Sequence, residues 1–140
     1  MKVLVDSNVV LNKLLNQPTF FTGSNVIFTL AEIRQITGYI SASAVTDIYY
    51  IARKSLGKAA AHEAIKKTLM VFSPATVTGT DINQALDLEW DDFEDSVQYV
   101  VGEGLAVDYI VTRNTKDFTS GSITAVTPEQ FIEAITDIEQ

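Results

Sequence analysis

The strongest constraint on the fold is a repeated alternation of short apolar runs, each halting at polar residues, with stretches whose apolar residues fall at helical spacing. The first run, Lys2-Val3-Leu4-Val5, ends at Asp6. An unbroken run of this kind suits a strand buried on both faces, as in a parallel sheet covered by helices. Further runs stand at Tyr39 to Ala42, at Met70 to Ser73 closed by Pro74, at Tyr109 to Thr112 and at Ile123 to Val126. Between the first two, Val10, Leu11, Leu14 and Leu15 trace a helix ended by Pro18, and Asn25 to Thr37 reads as a second with Gly38 as its stop. Val45, Ile48, Tyr49, Ala52 and Leu56 mark a third that ends at Gly57, and Lys58 to Met70 a fourth with Ala61, Ile65 and Leu69 inward. Thr80 is the expected cap of a short helix carrying Ile82, Ala85 and Leu86. Another starts near Asp92, turns Phe93, Val97, Val100 and Val101 inward and ends around Gly102 or Gly104. Thr127-Pro128-Glu129-Gln130 combines a capping threonine, a proline at the first helical position and a glutamine three residues on. It opens a last helix with Phe131, Ala134, Ile135 and Ile138 on one face. Strands alternating with helices imply right-handed crossovers, an α/β class and helices on both faces of the sheet.

With 140 residues, 46% hydrophobic content and only three prolines and seven glycines, the chain is expected to be one domain over residues 1–140 with one core. Cysteine is absent, which excludes a disulfide framework, thiolate metal sites and a cysteine nucleophile, and fits a cytoplasmic location. The opening apolar run is cut short by Asp6, unlike a secretory leader, and no later stretch approaches the ~20 apolar residues of a membrane span. A soluble protein without membrane contact is expected. Ten basic against eighteen acidic residues give a net charge of −8, which repels a phosphate backbone at long range and disfavours a general nucleic-acid coat protein. The acidity serves solubility alone or concentrates acids at a cation site; composition does not separate the two.

In a parallel α/β fold ligands bind beyond the carboxyl ends of the strands, where strand order reverses. Asp6 follows the first strand in Val5-Asp6-Ser7-Asn8, as a carboxylate at that edge or as a helix cap. Asp47 lies five residues beyond the second strand, in the first turns of a helix that Ser43 would cap, where it would be a site residue or simply favour the helix dipole. Asp95 falls in Asp91-Asp92-Phe93-Glu94-Asp95, with Asp92 as cap, and shares a face with Gln98 and Tyr99 close to the apolar stripe. Asp117 closes the polar loop Thr112-Arg113-Asn114-Thr115-Lys116-Asp117 before Phe118. Four acids reaching one edge would repel one another unless a cation compensates, and oxygen ligands without His or Cys select Mg²⁺ or Mn²⁺. Such ions can activate water, bind a non-bridging phosphate oxygen and stabilise a leaving 3′-oxygen.

At these residues the chain resembles the PIN domains, the fold of many metal-dependent ribonucleases and of VapC-type toxins. The similarity runs almost the whole length, most specifically at Val3 to Val10, Asp92 to Asp95 and Ile110-Val111-Thr112-Arg113-Asn114 to Phe118. Tyr39 to Tyr50 also resembles one branch of the family. The resemblance implies a three-layer α/β/α fold around a five-stranded parallel sheet, with Asp6, Asp47, Asp95 and Asp117 as the catalytic, metal-binding acids and Asn8, Thr112 and Asn114 as supporting polar residues. It also implies single-strand endoribonuclease activity with Mg²⁺ or Mn²⁺, frequent homodimers and often an antitoxin partner. Many PIN nucleases carry glutamate at the second acid; Glu32, in Thr29-Leu30-Ala31-Glu32-Ile33, imitates that motif, but no strand precedes it, whereas Tyr39 to Ala42 leads into Asp47. Arg113 and Lys116 are the expected phosphate contacts, followed by Arg53 and Lys54, each of which would otherwise be a solvated surface cation. His62, the single histidine, belongs to the polar face of its helix.

Two other enzymes also begin with an aspartate after the first strand. A haloacid-dehalogenase-like phosphatase wants a second Asp two residues on, where Asn8 stands, and a receiver-like phosphoacceptor wants its acceptor after the third strand, where Ser73-Pro74 stands. The remaining alternative is a PIN-like module that binds RNA or a protein and cleaves weakly or not at all.

Overall fold

The alternation within the first strand decides which residues meet which layer. In the computed structural model, which describes the backbone of residues 1–139 and side chains as far as Asp137, Val3 and Val5 face one helical layer and Leu4 the other, all three fully buried. Burying such a side chain stabilises the fold by roughly 1.5–3 kcal/mol. Five strands, β1 (Lys2–Val5), β2 (Thr37–Ser41), β3 (Phe72–Ala75), β4 (Tyr109–Val111) and β5 (Thr124–Val126), form one parallel sheet in the order β3-β2-β1-β4-β5. Leu4 pairs with Ile110 and Val5 with Val111, so β1 and β4 present matching faces.

Seven helices are seen among the described residues: α1 (Ser7–Leu14), α2 (Phe21–Glu32), α3 (Ala42–Leu56), α4 (Lys58–Val71), α5 (Gly79–Leu88), α6 (Phe93–Leu105) and α7 (Pro128–Glu139). A 3-10 turn, Thr115–Phe118, follows β4. One face of the sheet packs Val9, Val10, Ile27, Phe28, Ile48 and Phe131 from α1, α2, α3 and α7; the other packs Val97, Tyr99, Val100 and Val101 of α6 with Ala85 of α5. The α/β/α layering and the five parallel strands expected from the sequence are both present. The chain runs outward from β1 to β2 and β3, then returns to place β4 on the opposite side of β1. The strand order therefore reverses between β1 and β4, the position at whose carboxyl edge ligands bind in open α/β sheets.

Several boundaries differ from the sequence expectations. The second helix covers Phe21–Glu32 instead of Asn25 to Thr37, and the chain leaves it through Arg34 in the left-handed region (φ 62°). Thr37 and Gly38 belong to β2, where Gly38 is no helix stop: a Cβ at this position would collide with the Phe72 ring. Ser41, not Ser43, caps α3, its hydroxyl accepting from Ala44 N at 3.3 Å, because strand and helix join without a loop. Pro74 lies inside β3, which tolerates it as an edge strand, while Met70 belongs to α4 and is 83% exposed. Thr78 caps α5 in place of Thr80, in a capping box with Asp81. Phe93 and Leu86 are exposed, so the inward stripes of α5 and α6 are narrower than their apolar residues suggest. The α7 start is as expected, with Gln130 N donating to Thr127 Oγ1 and Thr127 N to Gln130 Oε1. Ile138 lies outside the described side chains.

Candidate active site

Asp6 occupies the first position after β1 and the cap position of α1, yet its carboxylate makes no capping bond. Its backbone N donates to Val111 O at 2.9 Å, which fixes it against the end of β4 at the point of strand reversal. The side chain is 3% exposed and accepts Gln98 Nε2 at 2.9 Å and Ser7 Oγ at 3.3 Å on Oδ1, and Thr112 Oγ1 at 2.7 Å on Oδ2. A helix cap would not need three donors from three elements. Thr112 is itself fully buried and also accepts Asn114 N at 3.0 Å, so one hydroxyl ties Asp6 to the loop after β4.

Opposite Asp6 stands the first turn of α6. Asp92 caps the helix by accepting Asp95 N at 3.1 Å. Asp95 is 5% exposed and its Oδ2 has no hydrogen-bond partner. Burial pushes its carboxyl up, the charges of Asp6 and Asp92 push further, and the neighbouring Asp117 adds to them, to about 8. Glu94, one residue earlier and half-buried, is raised in the same direction by burial and by the charges of Asp47, Asp6 and Asp92; its Oε1 also lacks a partner. Asp117 is exposed, on the 3-10 turn that Phe118 anchors beneath Trp90. Ser122 N donates to Tyr99 Oη at 2.9 Å and holds the end of that loop against α6. Asp47 is exposed in the second turn of α3.

The charges of Asp6, Asp92 and Asp117 are felt at Asp95 and those of Asp47, Asp6 and Asp92 at Glu94, so the acids of the sequence analysis influence one another without converging on one point. Sequence reasoning did not assign Glu94 and Gln98 to the site. Gln98 had a signal, its spacing of three from Asp95 on a face that also carries apolar residues. Glu94 sat unremarked inside an acidic run, since nothing in the run distinguishes a solvated acid from one turned to a neighbouring element.

Of the supporting residues, Asn8 accepts Arg113 N at 3.2 Å through Oδ1, joining α1 to the loop after β4, and Asn114 is exposed beside Thr112. Arg113 does not fit the expected phosphate contact. Its Nε donates to Asn12 Oδ1, one terminal nitrogen to Glu129 at 2.7 Å, the other to Phe20 O at 3.0 Å, and the guanidinium lies 4.6 Å from the centre of the Phe20 ring. These partners come from α1, the α1–α2 connection and α7, so Arg113 fastens the first helical layer to the site loop. Lys116 is exposed and without an ion pair among the described residues, beside Asp117 in a shallow cleft with Trp90 and Asp92. Arg53 and Lys54 are exposed in the last turn of α3. His62 is exposed on α4 and stacks edge-on near Tyr49, and Glu32 is exposed at the end of α2, so both stand apart from the aspartates.

The family model for the PIN domain matches residues 2–116. This chain belongs to the PIN-domain family. Among solved structures, the VapC20 toxin of Mycobacterium tuberculosis, described as cleaving the sarcin–ricin loop, superposes with a TM-score of 0.69 at 14% identity, over 85% of this chain and 95% of that one. VapBC2 from Rickettsia felis, bound to a DNA fragment from its promoter, gives 0.69 at 16% identity over 90% and 97%. FitAcB from Neisseria gonorrhoeae gives 0.68 at 16% identity over 91% and 98%. At such identities the likeness is one of fold. No curated protein sequence matches the chain. No helix among the described residues is long and apolar enough to cross a membrane.

Among the described residues no three His, Cys, Asp or Glu side chains converge on one point closely enough to chelate an ion as they stand. The donor set nevertheless suits a hard divalent cation on two counts. Every acid is an oxygen ligand, and Asp95 Oδ2 and Glu94 Oε1 are buried oxygens with no donor among the described residues. Burial first, and after it like charges gathered without compensation, disfavour the ionised forms of Asp95 and Glu94, which is the direction of both shifts and what a bound cation would reverse.

Proposed function

We propose that this PIN domain is a Mg²⁺- or Mn²⁺-dependent endoribonuclease acting on single-stranded RNA, and the toxin of a toxin–antitoxin pair. The observation that carries the reading is the buried, unpartnered Asp95 Oδ2 beside an Asp6 held by three donors at the reversal of strand order. Asp6, Asp95, Asp117 and Asp47 would hold the cation. When bound, it supplies the Lewis acidity that activates water and offsets charge on the phosphate. Thr112 and Gln98 orient the Asp6 carboxylate so that neither oxygen turns away from the site. Asn8 and Asn114 set the course of the loop that carries Asp117. Lys116 offers its ammonium to the RNA backbone at the rim of the site.

Structural neighbours that are toxin–antitoxin complexes support an antitoxin partner, and a homodimer is part of the same reading. A binding module with feeble cleavage is the second reading, favoured by the exposure of Asp47 and by the lack of convergence of the acids. Purified protein incubated with varied single-stranded RNAs and Mn²⁺ or Mg²⁺ separates the two. Internal cleavage abolished by chelation supports the nuclease. RNA retained intact with both metals, or cleavage undiminished in Asp6→Asn and Asp95→Asn, removes it.

A further inference from the structure

Glu94 has no role in the site as so far described, and its surroundings give it one. It lies in the first turn of α6, one residue before Asp95. Its Oε1 is inaccessible to solvent and accepts no hydrogen bond. The charges it feels most strongly are those of Asp47 on α3 and Asp6 after β1, both negative. Among the described residues no cation answers them: the ion pair there joins Arg113 to Glu129.

Four residues further along α6, Gln98 is wholly buried, and its amide turns Nε2 to Asp6 Oδ1 while its Oε1 also has no donor. Positions 94 and 98 lie four apart and so share one helix face, the face from which Gln98 reaches Asp6, and each carries a buried oxygen without a donor. A buried acceptor left without a donor costs about 1–3 kcal/mol, more for a charged group, so a native fold that keeps such groups together keeps them for a partner from outside the chain.

Asp47 is short and solvent-exposed, and cannot by itself close the α3 side of the site. We infer that Glu94 is a fifth working carboxylate of this centre, lending Oε1 to a divalent cation together with Asp6 and Asp47. Its longer side chain spans from α6 toward α3 and completes the side that Asp47 leaves open. This role rests on the proposed cation-dependent function.

Isothermal titration of the metal-free protein with Mn²⁺, paired with thermal melting with and without the metal, tests it. Glu94→Gln keeps the shape and removes the charge. It is expected to weaken Mn²⁺ binding by about 10- to 100-fold while leaving the metal-free melting temperature unchanged or higher, since a carboxylate repelled by its neighbours is gone. Glu133→Gln, an exposed change on α7, should alter neither. Wild-type Mn²⁺ affinity in Glu94→Gln overturns the assignment and leaves the nuclease reading intact. A metal-free melting temperature that falls, with Mn²⁺ affinity unchanged relative to wild type, makes Glu94 structural and overturns it too. Wild-type protein that neither binds Mn²⁺ nor cleaves RNA instead defeats the reading on which the role rests.

Discussion

Asp6 and Asp95 are buried to nearly the same degree, 3% and 5% exposed, at the same edge of the same sheet, yet their surroundings treat them oppositely. Asp6 receives hydrogen bonds from Ser7, Gln98 and Thr112, contributed by three elements. Asp95 Oδ2 receives none and faces the negative charges of Asp6, Asp92 and Asp117. The first carboxylate is held by the fold and the second strains against it. Burial alone therefore says little about what an acid does; the donors supplied to it say more.

This contrast is open to direct attack. The largest effect expected is on catalysis: Asp6→Asn and Asp95→Asn should each lower Mn²⁺-dependent cleavage of single-stranded RNA by about 10³-fold or more, read as initial rates on a fluorescent oligonucleotide. Equal, modest losses of under tenfold would mean that the two acids are structural.

Stability should divide the pair. Asp6→Ala leaves Gln98 Nε2 and Thr112 Oγ1 without their buried acceptor, at about 1–3 kcal/mol each, so urea unfolding of the metal-free variant should show a loss of about 2–5 kcal/mol. Asp95→Asn removes a charge that the fold does not solvate, and should leave metal-free stability equal or higher. Loss of stability in both variants would erase the distinction.

The pH dependence gives a third test. Asp95 rises from 3.8 in the unfolded chain to about 8 in the fold, so the fold favours its protonated form. That contribution is complete below pH 3.8 and drains away as the pH climbs through about 8, and Glu94 acts in the same direction. The metal-free melting temperature should accordingly fall between about pH 4 and about pH 8, and Asp95→Asn should flatten the fall. Saturating Mn²⁺ should also flatten it, because the cation takes the place of the proton, and Mn²⁺ affinity should rise with pH over this range. A metal-free melting temperature that increases from about pH 4 to about pH 8 would contradict the environment drawn for Asp95.

The smallest effects concern the two cations of the site loop, which sit three residues apart and differ as the two acids do. Lys116→Ala should weaken RNA binding several-fold, about 1 kcal/mol, with little change in melting temperature. Arg113→Ala should do the reverse, lowering stability by about 1–3 kcal/mol. Most of that comes from the orphaned, buried Asn12 and little from the solvent-exposed Phe20 and Glu129 partners. The two are separated by filter binding in metal-free buffer and by denaturant titration.

Much of this molecule is legible in its residue order. The apolar runs of β1 and β4, the α3 stripe ending at Gly57 and the Thr127–Gln130 capping box depend on neighbours a few positions away, so periodicity and capping chemistry reach them. The edge that gathers Asp6, Asp95 and Asp117 follows from strands leading into polar residues in an alternating α/β chain. Gly38 was beyond that reach: its need is for closeness to Phe72, thirty-four positions on, and a glycine after a helical pattern otherwise reads as a stop. Arg113 and Lys116 look alike in sequence, and only their tertiary neighbours commit one to Glu129 and Phe20 and leave the other without an ion pair among the described residues. Likewise the sequence by itself determined that acids would meet at one edge. The tertiary structure decided which of them are given donors and which are left without, because Gln98 and Thr112 reach Asp6 from ninety-two and one hundred and six residues away.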